Sequence, residues 1–151
     1  LVVFIILNFF GKNYLGDGAI YGLSFLIGFM TINITLLDEK VSPYFIANLL
    51  WYPAFENLFS IIRRSFRKKK KYLPDNDHLH QIFYKYLKKK KIIKKNFLLS
   101  SVTGIIINLY LFCSSYIGYM YYSKTDALVF ILIINIVLYI SSYQLLKSLS
   151  K

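Results

Sequence analysis

Residues 19–37 run without a single charged side chain, and residues 97–120 and 127–146 do the same over comparable lengths. A bilayer core about 30 Å thick takes roughly 20 helical residues to cross. Backbone polar groups in lipid find no water, so a spanning segment must satisfy its own hydrogen bonds as a helix or join a closed barrel. The β-branched stretch VFILIINIVLYI favours strand by propensity. An open sheet edge is not tolerated in hydrocarbon, however, and helix is the expectation for all three runs. Residues 41–61 are less uniform, because Pro43, Pro53 and Glu56 interrupt the apolar run. They read either as a kinked spanning helix or as a helix that leaves the membrane near Trp51. The opening LVVFIILNFF starts inside a hydrophobic run, without initiator Met, basic region or small-residue cleavage site. It reads as a truncated helix rather than a signal peptide. The fold expected is all-α: a polytopic integral membrane helical bundle of about five membrane segments.

The net charge of +12 would suggest a nucleic-acid surface on a soluble domain, but a mean hydropathy of +0.48 is too apolar for one. Fourteen of the nineteen Lys and Arg residues also fall within residues 63–95. The charge therefore belongs to one loop, with no recognisable nucleic-acid module, and nucleic acid is excluded as the partner class. Lys and Arg close to spanning ends resist translocation, and anionic lipids attract them on the cytoplasmic leaflet. Three sections follow: residues 1–62 as membrane segments, 63–96 as a basic cytoplasmic loop, and 97–151 as a helical hairpin closed by the tyrosine-rich residues 121–126. The basic loop and the C-terminus are expected in the cytoplasm, in the plasma membrane of a cell, with Asp17 emerging on that same side. Cys113 sits alone in an apolar run, so neither an intramolecular disulfide nor a cysteine metal cluster is expected.

Three groups of residues could carry chemistry. Asp17 stands between Gly16 and Gly18 at a membrane boundary, where a carboxylate needs water, a cation or a partner group. It is either a hard oxygen ligand of the kind Mg²⁺ prefers or a helix-capping residue favoured by the dipole. His78 and His80, in PDNDHLHQ, are two apart and do not share a helical face. They suit a turn or a helix start, with Asp75 or Asp77 as the cap and backbone N–H groups ready for phosphate oxygens; a solvated pair in a polar loop is the plainer alternative. Arg63 and Arg64 follow an amphipathic stretch and could bind phosphate bidentately. The lysine runs need only anchor the loop to anionic headgroups.

In order and spacing, three stretches resemble the carboxy-terminal part of the polyprenyl-phosphate N-acetylhexosamine-1-phosphate transferases, the family that includes phospho-N-acetylmuramoyl-pentapeptide transferase. They are NFFGKNYLGD ending at Asp17, PAFENLFSIIRR ending at Arg64, and Pro74-Asp75 followed by His78-Leu79-His80. This chain has Ala19, Glu56, Asn76 and Gln81 where the family commonly has glycine, aspartate, arginine and histidine. The resemblance implies transfer of a sugar 1-phosphate from a UDP-N-acetylhexosamine to polyprenyl phosphate, releasing UMP, in cell-envelope polysaccharide or peptidoglycan precursor synthesis. It further implies Mg²⁺ as cofactor with Asp17 as a metal ligand, His78 and His80 acting on phosphate oxygens, and Arg63 and Arg64 as substrate-phosphate contacts. Partners would be membrane lipid, polyprenyl phosphate and the UDP-sugar, with a homodimer left open. The family's aspartate pair and asparagine- and aspartate-rich loop are not among these 151 residues, and the segment alone is expected to be inactive. The competing expectation is a noncatalytic membrane protein whose basic loop binds anionic lipid or a partner protein.

Overall fold

The computed structural model describes residues 7, 8, 10, 12, 16–66, 77–91 and 96–150. Most of the first hydrophobic run, the lysines at 68–71, Pro74, Asp75, Asn76, Lys94 and Lys95 lie outside the described residues. Those described form five helices and no strand: α1 Asp17–Leu37, α2 Pro43–Phe66, α3 Leu79–Lys89, α4 Asn96–Met120 and α5 Thr125–Ser150. Four of them, α1, α2, α4 and α5, are long and apolar enough to cross a membrane. The chain is thus a multi-pass helical membrane protein.

Segment 41–61 resolves as one helix, Pro43–Phe66, continuous through Pro53. Pro53 lacks the N–H that would reach the Leu49 carbonyl, yet the helix does not end there. The turns at 38–42 and 121–124 lie together at one end of the bundle. Ser42 N–H donates to the Tyr122 carbonyl (2.9 Å), and the Ser42 and Thr125 hydroxyls are 3.0 Å apart. One helical turn deeper, the Asn48 amide reaches across to the Leu128 carbonyl (2.9 Å) while also bonding Tyr44 O in its own helix (3.0 Å). Farther along the α4–α5 hairpin, Asn135 accepts from Tyr110 OH (2.6 Å) and donates to Ser114 Oγ (2.7 Å). Polar bridges of this kind bind helices in a setting where lipid supplies no hydrophobic drive between them.

Residues 79–89 form a helix within what the sequence reads as a loop. Leu79, Ile82, Phe83, Tyr86 and Leu87 recur at helical spacing, while Lys85, Lys88 and Lys89 take the exposed face. The apolar face packs on α4 and α5. Ile82 enters a buried aromatic cluster with Trp51 of α2 and Tyr139 and Tyr143 of α5, so α3 closes the bundle at the end opposite the 38–42 and 121–124 turns. Helix α1 stands apart from this core: Thr31 is its one buried residue, and Phe25, Phe29 and Leu36 project outward. That exposure is normal for a surface facing lipid.

Candidate functional site

The site grows from Glu56, a carboxylate in the middle of an otherwise apolar helix. A charge at that depth is costly unless partnered, and Glu56 is buried at 8% exposure. Its Oε1 accepts the Leu79 backbone N–H (2.9 Å) and lies 3.1 Å from His78 Nδ1. Leu79 is the first residue of α3, so this N–H has no partner inside its helix. The carboxylate docks the positive end of α3 onto α2.

His78 itself is the N-cap, in place of the expected Asp75 or Asp77. Its backbone N–H donates to the Gln81 side chain (3.2 Å) while its own side chain faces the Gln81 backbone N–H, the two halves of a capping box. The same ring lies against Glu56, with Nδ1 3.1 Å from Oε1. Asp77, one residue earlier, stands 3.8 Å from Lys85 Nζ. His78 and His80 are brought together after all, their rings stacked with centroids 5.7 Å apart and planes 11° from parallel. Burial pushes the His80 ring below the ordinary 6.5; the charge of Glu56 opposes this and His78 adds to it.

Arg63 is committed to this same junction. Its Nη1 donates to the Asp77 carbonyl and to Tyr143 OH (2.8 Å), holding the residue before His78 against α5. Lys147, one turn beyond Tyr143, donates to the same hydroxyl (3.1 Å). Both cations also stand over the Tyr143 ring, at 5.5 and 5.0 Å. A guanidinium has five N–H donors, so the Nη1 bonds leave Arg63 capable of further contacts. Arg64 is half-buried in the last turn of α2.

Two depressions lie along α3, one lined by His80 and the other by Leu79. A cleft of about 950 Å³ between α3 and α4 sets His80, Gln81, Lys85 and Asn108 among a mainly apolar wall that includes Ile107 and Leu111. An apolar groove of about 460 Å³ runs beside it between Trp51, Phe83, Ile106, Tyr110, Leu138 and Leu145. A polar head held near His80 could extend an apolar tail into the bundle.

Asp17 is exposed in the first turn of α1, after Gly16 at the N-cap, and no hydrogen bond or ion pair joins it to another described residue. Both Asp17 and Arg63 lie twenty residues from the 38–42 turn side of their helices (37 − 17 and 63 − 43), so chain order puts both at the remote ends. Among the described residues no three His, Cys, Asp or Glu side chains gather as a metal cage. Mg²⁺ is typically held by one or two carboxylates with waters and phosphate oxygens, and Asp17 could supply one such ligand. Two residues of the junction were given no role from the sequence: Glu56, read there as an interruption of a span and as the counterpart of a family aspartate, and Lys147. The signal for Glu56 was its lone carboxylate inside an apolar helix; for Lys147 there was none. Compared with protein-family models, with curated proteins and with solved structures, the chain matches none.

Proposed function

We propose that this chain is part of a membrane transferase that moves N-acetylhexosamine 1-phosphate from a UDP-sugar to polyprenyl phosphate, releasing UMP. The observation that carries the reading is the convergence of His78, His80 and Arg63 on one junction, beside a cleft with polar groups in its wall that adjoins an apolar groove. Such a pairing of cationic and imidazole groups with an apolar channel suits a lipid phosphate. In the reaction a lipid phosphate oxygen attacks the sugar-linked phosphorus, and the bond to UMP breaks. When bound, Mg²⁺ neutralises the diphosphate, with Asp17 as its protein ligand. His78 and His80 hold phosphate oxygens, and Arg63 and Arg64 add positive charge at the same face. The membrane is the plasma membrane, and the segment from Arg63 to Lys95 faces the cytoplasm, where UDP-sugars are made.

The test is UMP release by the full natural chain in membranes, with Mg²⁺, polyprenyl phosphate and a panel of UDP-N-acetylhexosamines, beside Asp17→Asn. Magnesium-dependent release that is lost in the variant supports the reading. A folded full chain that releases no UMP with any member of the panel returns the protein to the second reading, a noncatalytic anchor. The exposed Lys85, Lys88 and Lys89 of α3 favour that alternative, which predicts binding to anionic vesicles whether or not Asp17 and the histidines are changed.

A further inference from the structure

We propose that Tyr143 and Lys147 of α5 form a seat for a phosphate group, an inference that rests on the transferase reading of this junction and adds to it two residues from the last helix. The polarity of the hydrogen bonds at one oxygen carries it. Arg63 Nη1 donates to Tyr143 OH at 2.8 Å, and Lys147 Nζ donates to the same oxygen at 3.1 Å. Guanidinium and ammonium groups hold donors only, so both bonds end on lone pairs of the hydroxyl oxygen. A phenol has two such pairs and one proton, and the proton is left to donate. No described residue receives it. Tyr143 is buried at 4% exposure, where a tyrosine O–H ordinarily finds a partner. The missing group is an acceptor.

The charge beside that proton says which acceptor fits. Tyr143 and Lys147 are four residues apart on one face of α5, and the Arg63 and Lys147 cations both stand over the phenol ring. Among the described residues Lys147 has no carboxylate partner; its one hydrogen bond goes to the neutral hydroxyl. A lysine in the last turn of a helix can simply meet the end carbonyls. Here the Leu149 carbonyl is met by Lys89 of α3 (3.3 Å), while Lys147 Nζ reaches back to Tyr143. An ammonium carries three N–H donors, and two remain beyond that bond. An anion with several oxygens takes the Tyr143 O–H on one oxygen and a Lys147 N–H on the next. Phosphate oxygens accept strong bonds of this charge-assisted kind. Lys147 is only half-buried, so the seat is reached along its ammonium. Arg63, which orients the hydroxyl, also holds the Asp77 carbonyl beside His78, and this ties the seat to the histidine junction.

Binding of two phosphates to the full chain in neutral detergent tests the seat. One probe is inorganic pyrophosphate; the other is a polyprenyl phosphate, set against the same polyprenol without its phosphate. EDTA is present throughout, so that no metal at Asp17 holds either probe. Tyr143→Phe keeps the ring and its packing and removes only the hydroxyl, and Lys147→Met keeps the aliphatic stem and removes the charge. Loss of a hydrogen bond to a charged group should weaken phosphate binding by about 10- to 100-fold in each variant, with polyprenol binding and the unfolding midpoint nearly unchanged. Weakening confined to polyprenyl phosphate assigns the seat to a lipid-borne phosphate, and weakening confined to pyrophosphate assigns it to the phosphates of a soluble nucleotide; either supports the seat.

Full affinity for both probes in Tyr143→Phe means that the hydroxyl serves only packing or a water molecule, and it overturns the proposal even where Lys147→Met binds less well, since charge alone then draws the anion. No weakening in Lys147→Met, which leaves the buried ring untouched, overturns it whatever Tyr143→Phe does. An unaltered chain that binds neither probe overturns it as well. Binding needs no turnover, so the transferase reading fails separately: a chain that binds phosphate through Tyr143 and Lys147 yet releases no UMP keeps the seat and loses the reaction.

Discussion

At the scale of single residues, even partial loss of water alters a titratable group at this junction. His80 is the clearest case, because desolvation makes its charged form less favourable in the folded protein than in water. The unfolded chain's ring takes up a proton near 6.5, whereas the folded one does so only at lower pH. The unfolded state binds more protons in that interval, so stability is complete above 6.5 and is lost as pH falls through the folded value. Thermal unfolding in detergent between about pH 8 and 5 should therefore steepen below neutrality in the native chain and flatten in His80→Gln; identical slopes in the two would rule the effect out. The residues of this region differ in how far the sequence discloses them. His78, His80, Arg63 and Arg64 stand out because imidazole and guanidinium groups beside a membrane boundary have few ordinary uses. That Arg63 would reach Tyr143, eighty positions away, and that Glu56 would reach His78 depend on helix packing that local sequence does not encode.

At the scale of elements, α3 is the piece on which the site depends, since it carries His80, is capped by His78 and is held to the bundle by one apolar face. Ile82, at 2% exposure, is the centre of that face and touches the Trp51–Tyr139–Tyr143 cluster. Ile82→Ala leaves a cavity there and should cost about 2 to 4 kcal/mol, read as a lower unfolding midpoint in detergent. Loss of stability without change in the His78–His80 region's spectra would mean that α3 is held by other contacts. The α4–α5 hairpin offers a contrasting case. Asn135 joins Tyr110 and Ser114 between two helices, and Asn135→Ala should cost about 0.6 to 1.7 kcal/mol, the range for such bonds in membranes; a value near zero would show the side chains finding other partners. The long helices were legible because uninterrupted apolar length leaves lipid-exposed backbone no other solution. Pro53 blurred α2, since a proline's missing N–H argues for a break that the packing of Trp51 and Phe55 on Tyr139 overrides. Helix α3 was obscured for a different reason: its three lysines and the neighbouring lysine runs drew the reading toward a solvated loop, although its apolar residues already kept helical spacing.

At the scale of the whole molecule, the distribution of charge along the bundle axis fixes how the protein should lie in a bilayer. One end gathers the turns with Asp38, Glu39, Lys40, Lys124 and Asp126, where positive and negative charges nearly cancel. The other carries Arg63, Arg64, Lys147 and the cationic face of α3, tied together by the Tyr143 hydroxyl and the Glu56 carboxylate. Chain order alone separates these two ends of the bundle, because each long helix runs back along the last; it could not say that α1 would stand apart, since hydropathy records affinity for lipid and not for a neighbouring helix. The positive-inside bias then predicts an orientation with α3 in the cytoplasm. Cys113 is the chain's only cysteine, so a Cys113→Ser background makes the prediction simple to read. Lys90→Cys, exposed at the end of α3, should be protected from a membrane-impermeant maleimide in intact cells and react after permeabilisation. Ser123→Cys, exposed in the α4–α5 turn, should react from outside. Reactivity in the reverse order would place the histidine junction on the outer face, away from any cytoplasmic nucleotide sugar, and would remove the transferase reading together with the orientation.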